Sequence, residues 1–190
     1  ADLDDAKFTY YMTGRKFSNE TFKPEKMTEE PIMELKNLTL DGYYQDISFQ
    51  LKGGEILGIT GLLDSGRTEL ALSMFGIKPA TSGQILRNGQ EVAIKTPQDA
   101  MAQQIGFVPE DRLSEGLFLT QSIADNIIIS KIDDIKAKNG TFDRALRQEI
   151  VDKWVKDLSI ATPDANNNAN TLSGGNQQRI VLAKWLACNP

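Results

Sequence analysis

"GITGLLDSGRTEL", residues 58–70, is the stretch on which the fold turns. It spaces Gly61, four residues, Gly66, a basic residue and the hydroxyl of Thr68, the pattern of a loop whose backbone N–H groups cradle a phosphate. The apolar run "ILGIT" (56–60) feeds it and the helically spaced "TELALSMFG" (68–76) leaves it. That order predicts a strand, an anion-binding turn and a helix whose N-terminus faces the anion. The same residues also fit a glycine turn that merely joins strand to helix. On the first reading Gly61, Ser65 and Gly66 shape the cradle and Thr68 reaches Mg²⁺.

Three residues depart from that pattern. Arg67 stands where a compact lysine charge suits the β- and γ-phosphates, and its planar fork is not an equivalent. Asp64 and Glu69 place carboxylates in or beside the cradle. Like charges about 4 Å apart repel by ~1 kcal/mol in water and ~4 kcal/mol at a partly shielded surface. Tight nucleotide binding at this loop therefore requires both carboxylates to point outward.

Upstream, "IMELKNLTL" (32–40) and "YYQDISFQL" (43–51) alternate as two strands. Downstream, "QILRNGQEVAI" reads as a hairpin with Asn88-Gly89 at its tip, and "IGFVP" (105–109) as a further apolar strand. Leu146, Ile150, Val151, Trp154, Val155 and Leu158 make one apolar stripe of a helix, a core-facing pattern. "PDANNNAN" is a loop by composition. Residues 1–31, with Pro24, Pro31 and the run "KPEKMTEEP", show no sustained apolar period and read as a tail or linker.

Composition narrows the chemistry. The 190 residues are 40% hydrophobic and 25% charged with a net charge of −5, which suits a single domain with an appended segment and disfavours a nucleic-acid surface. With Cys188 alone and no histidine, disulfide scaffolds, ordinary zinc sites and histidine acid–base chemistry lack their residues. A reduced, cytoplasmic chain is expected. No apolar run approaches the roughly 20 residues needed to span a bilayer, so a membrane role would come through a partner.

A second motif lies at 172–178, "LSGGNQQ", followed by the helical run "RIVLAKWLA". Ser173 is a good N-cap and the glycines leave the first-turn N–H groups open, which makes a second anion site at a helix N-terminus. Leu172, Ser173, Gly174 and Gly175 resemble the signature motif of ATP-binding cassette proteins. The chain is most similar to the second nucleotide-binding domain of double-cassette ATPases that drive bacterial monosaccharide importers of the ribose and galactose type. "GLLDSGRTEL", "IGFVPEDRLSEGLF", "SIADNI" and "LSGGNQQRIVLAKWLA" carry the likeness, and "YYMTGRKF" resembles the end of a first cassette. Nucleoside importers of the wider group are similar too, but tend to have "GNGQ" where this chain has "DSGR".

The resemblance implies an α/β fold of P-loop NTPase type: a mixed sheet core, an antiparallel β subdomain and a helical subdomain, incomplete at the C-terminus. It divides the chain into the tail of a preceding cassette (1–16), a linker (17–31) and a partial second cassette (32–190). It implies ATP and Mg²⁺ as ligands. Gly61, Asp64, Ser65, Gly66, Arg67, Thr68 and Glu69 would form one weak half-site, and Leu172, Ser173, Gly174, Gly175 and Gln177 the signature half of another. Glu110 stands where first cassettes carry a metal- and water-touching glutamine; on charge patterning alone, "PEDR" also fits an exposed salt-bridged loop. The chain would stop short of the strand bearing the Mg²⁺-binding and catalytic carboxylates, so no catalytic residue lies within it and the fragment alone would not hydrolyse ATP.

The implied partners are transmembrane permease subunits docked through about 110–129, a companion nucleotide-binding domain in the same polypeptide or a second copy, and, indirectly, an extracytoplasmic sugar-binding protein. The implied location is the cytoplasmic face of the membrane. Tyr43 and Tyr44 are the nearest aromatics for adenine, since Leu38 occupies the usual position, and they fit equally well as two exposed aromatics in a strand turn. A regulatory cassette that holds nucleotide without hydrolysing it is the competing assignment. A cassette acting on DNA or ribosomes is disfavoured by the acidic balance.

Overall fold

The computed structural model describes residues 4–13, 26–136 and 141–190. Helix α1 (Asp5–Thr13) is followed by strands β1 (Pro31–Leu40) and β2 (Tyr44–Lys52), helix α2 (Arg67–Met74), the pair β3 (Ser82–Arg87) and β4 (Gln90–Val92), and helix α3 (Pro97–Ala102). Helices α4 (Ile123–Ile128), α5 (Arg144–Asp157) and α6 (Gly174–Leu186) complete the order. Part of the expected N-terminal tail is thus helical, with Phe8, Tyr11 and Met12 exposed on α1. The end of that tail and most of the linker, residues 14–25, lie outside the described residues.

The strands form one antiparallel sheet in the order β2-β1-β3-β4. Alternation decides its inner face: Met33, Leu35, Leu38 and Leu40 of β1 are buried, with a register shift between Leu35 and Leu38 where Asn37 takes a positive φ of 49°. The β3–β4 turn is at Asn88-Gly89, where φ values of 50° and 76° fit the tight hairpin geometry that this dipeptide favours.

Two cores follow. Met33, Leu35, Leu38 and Ile85 of the sheet close on Leu70, Phe75, Ile94 and Ala100. Ile123, Ile127, Val151, Ile160, Ile180 and Val181 form the centre of the helical one. Trp185 of α6 packs against both, meeting Phe75 edge-on at 5.1 Å between ring centroids. Asn126, wholly buried in α4, is fully bonded: its Oδ1 accepts from Phe118 N (2.8 Å) and its Nδ2 donates to Phe118 O and Ser122 O (both 2.9 Å). The expected stripe of α5 holds for Val151, Trp154, Val155 and Leu158, while Leu146 stays exposed.

Two expected strands do not form. Residues 56–60 and 105–109 carry no regular secondary structure, and among the described residues no strand lies beside either. A short, wholly apolar run becomes a central strand only when neighbours on both edges take up its N–H and C=O groups. Without them Ile56 is 75% exposed, and Leu62 and Leu63, at the start of the loop, are 85% and 87% exposed. Segment 105–109 is held instead by one backbone bond, Ile105 N to Ala100 O (3.0 Å), and by side chains, with Phe107 stacked on Phe75 at 5.3 Å. No helix among the described residues is long and apolar enough to cross a membrane.

Candidate functional site

The loop from Gly61 to Glu69 folds as a tight turn into a helix. Ser65 N donates to Leu62 O (3.2 Å), Asp64 and Gly66 both take left-handed backbone (φ 61° and 79°), and Leu70 N donates to Gly66 O (2.8 Å) to open α2. Gly66 is required twice over: besides its φ, a Cβ there would lie 2.5 Å from the Tyr43 carbonyl oxygen. A Cβ on Gly61 would meet the Ser65 hydroxyl at 2.5 Å, so the two ends of the loop are in close approach.

The charges stand as follows. Asp64, Arg67 and Thr68 are exposed and Glu69 is half-buried in the first turn of α2. Among the described residues none of Asp64, Arg67 or Glu69 belongs to an ion pair. Arg67 is therefore an uncommitted cation at the helix N-terminus. Glu69 complements the helix dipole there and competes with any anion for it.

Thr68 also lines a cavity of about 380 Å³ with Leu72, Phe107, Glu110, Asp111 and Glu115. The fold thus brings Thr68 and Glu110, distant in sequence, to one space beside the loop. The lining donors are all oxygens. Hydrogen bonds from the Ser114 hydroxyl (2.8 Å) and the Leu113 N–H (2.8 Å), with the charge of Arg112, hold the Asp111 carboxyl below its ordinary pKa. No group of three acidic, histidine or cysteine side chains converges on a point among the described residues. The arrangement suits Mg²⁺, which takes one or two protein oxygens and completes its shell with phosphate and water; Thr68 and Glu110 would hold it. "PEDR" is not a salt-bridged loop, since none of its members forms an ion pair among the described residues.

The second motif opens α6. Ser173 occupies the N-cap position, yet its hydroxyl caps no helix N–H and instead accepts from Asn176 Nδ2 (3.2 Å). The expectation of a capping serine is corrected: the side chain of Asn176 has taken the hydroxyl, and the first-turn N–H groups stay open. Ser173 and Gly175 face solvent, with open space where a Gly175 Cβ would go. Leu172 packs on the helical core, and Gln177 is buried, its Nε2 donating to Ala169 O (3.4 Å). This N-terminus does not line the Thr68 cavity; the two are joined by the single wide turn Arg112–Gly116.

Residues 44–190 match the profile of the ABC transporter family. The chain belongs to that family. Among ABC proteins, the ribose import ATP-binding protein RbsA of Bacillus licheniformis is 39% identical over 189 residues, covering all of this chain and 38% of its own length. The putative ribose/galactose/methyl galactoside import ATP-binding protein of Halalkalibacterium halodurans is 41% identical, over 94% of this chain and 34% of its own length. The chain spans little more than a third of these relatives. Of solved ABC structures, cbiO1 from Clostridium perfringens superposes with a TM-score of 0.66 at 21% identity, over 85% of this chain and 63% of its own. The ATP-binding cassette MJ0796, a dimer bound to ADP and Pi, does so with a TM-score of 0.66 at 23% identity, over 83% and 70%. These establish the cassette fold.

Several ABC-cassette residues that matter for packing escaped the sequence. Arg112 against α6 and the buried Lys184, whose Nζ donates to Gly116 O (2.7 Å), carry no local signal because their partners are remote in sequence, while Asn126 bonds to Phe118 and Ser122, within eight residues, in no spacing that announces it.

Proposed function

We propose that this chain is part of an ATP-binding, energy-coupling protein of a monosaccharide importer, supplying a weak phosphate loop and a competent signature motif to two composite ATP sites. The observation that carries the reading is the shared cavity of Thr68 and Glu110 beside the loop, with the signature N-terminus standing apart from it. A nucleotide on this loop would need a signature from elsewhere, and this signature would serve a nucleotide held elsewhere, by a companion cassette. The ribose and galactose names of the relatives support a sugar as cargo. Mg²⁺ would neutralise phosphate charge at Thr68, and of the two tyrosines Tyr43 is the candidate for adenine, which would compete with the Lys78 Nζ that lies 3.3 Å over its ring. Tyr43 is exposed with its carbonyl against Gly66, whereas Tyr44 packs into the sheet core.

Leu113, Phe118 and Ile129 expose apolar surface along 110–129 while Ile123 and Ile127 face inward, which supports a permease dock on that segment at the cytoplasmic face. Of the domain limits 1–16, 17–31 and 32–190, the start of β1 at Pro31 supports the last boundary to within one residue.

The full-length protein with its permease should take up labelled ribose or galactose only with ATP, and Ser173→Ala should abolish uptake. ATP-dependent uptake unchanged by that substitution would reject the reading. The unpaired Arg67 and the carboxylates around it favour a poor site on this loop. Arg67→Lys with Glu69→Thr should then raise ATP affinity at least about tenfold, the worth of one charge-assisted hydrogen bond. The 190-residue chain alone should show no turnover above background that Thr68→Ala abolishes.

A further inference from the structure

Between the cavity and the signature helix one cation is left over. Arg112 is half-buried, its Nε is closed off from solvent without a hydrogen-bond partner, and no carboxylate pairs with it among the described residues. The adjacent Asp111 carboxylate is committed to Leu113 N and Ser114 Oγ (both 2.8 Å). Its guanidinium lies against the start of α6: Arg112 Nη2 is 2.8 Å from where a Gly174 Cβ would stand. Glycine at 174 is what admits it.

This placement is unfavourable as it stands. The Arg112 Nε has lost its hydration without gaining a partner, and the N-terminal end of a helix carries the same sign of charge as the guanidinium. An anion between them removes both penalties. The site has room for one: Ser173 and Gly175 are exposed, and Gly175 has open space on its Cβ side. The guanidinium fork matches the geometry of phosphate oxygens better than an ammonium does.

We propose that Arg112 is a phosphate-contacting arm of the signature half-site, binding the terminal phosphate of the nucleotide held by the companion cassette's loop. This rests on the composite-site reading above. It gives the segment Asp111–Gly116 two faces: Asp111 and Glu115 toward this chain's own loop cavity, and Arg112 toward the other nucleotide.

The test uses the full-length protein with its permease, measuring kcat and KM for ATP, stability of the vanadate-trapped ADP complex, and the unfolding midpoint without nucleotide. Arg112→Gln should lower kcat/KM and shorten trapping about tenfold or more with the midpoint no lower than wild type, and Arg112→Lys, which restores charge without the fork, should recover part of the lost turnover and trapping. Should Arg112→Gln fail to fold, Arg112→Lys decides: trapping as long-lived as wild type overturns the proposal. Wild-type turnover and trapping in Arg112→Gln, with both lost in Ser173→Ala, would overturn the role of Arg112 and leave the composite site standing. Wild-type behaviour in Ser173→Ala as well would overturn both.

Discussion

At Gly66 two independent constraints coincide, a left-handed φ of 79° and a carbonyl oxygen 2.5 Å from any Cβ. Gly66→Ala should therefore destabilise the chain by about 2 kcal/mol, within the range for forced left-handed backbone plus a close contact, and weaken nucleotide binding with it. Urea unfolding checks the first; a midpoint equal to wild type would show that the turn relaxes freely. Residues of this kind were legible in the sequence, because a positive φ is a local demand that glycine or asparagine meets wherever it occurs. Asn88-Gly89 was legible for the same reason. Arg112 was not: "PEDR" says nothing about α6, and only the chain's return at Gly174 puts that guanidinium beside a helix end.

Among the elements, α6 shows how packing changes a side chain's chemistry. Lys184 sits in its buried face, and loss of hydration there lowers its pKa from the ordinary 10.5. The unfolded chain keeps its proton up to that ordinary value, while the fold releases it earlier. Between the two pKa values the unfolded state binds more protons, so stability from this group rises with pH through that window and is least below it. Comparing the native protein with Lys184→Met by urea unfolding at about pH 7 and about pH 10 isolates this group. The difference should move in favour of lysine at the higher pH. A pH-independent difference would mean that Lys184 titrates as an exposed lysine does. The helix itself was readable from its apolar spacing, as were β1, β2, α2 and the β3–β4 hairpin, whose cues are periodicity and turn residues within a few positions. The runs at 56–60 and 105–109 have the apolar content of strands and form none for a complementary reason: pairing belongs to two segments, and apolar content in one cannot supply the other.

Across the whole molecule, the apolar residues around the phosphate loop lie open. Ile56, Leu62 and Leu63 are each at least 75% exposed, more than an isolated surface leucine explains. Ile56→Thr with Leu62→Ser and Leu63→Ser should raise the solubility of the 190-residue chain and shift its unfolding free energy by less than about 0.5 kcal/mol. Light scattering against concentration and a urea titration test both halves, and a larger loss of stability would show that these side chains are packed.

The sequence by itself determined the phosphate-loop spacing, the signature motif, the hairpin, the helical stripes and the family they point to, since each is written in neighbours a few residues apart. Only the tertiary structure decided that Thr68 and Glu110 share one cavity, that Asn176 takes the Ser173 hydroxyl, and that Arg112 lies on Gly174. The first and last are meetings of segments separated by whole elements, and the second, though local, has its Asn176 amide held from outside the helix by Ala161 N (3.1 Å). Burial and the competition among polar groups for partners settle them, and neither acts until the chain has folded back on itself.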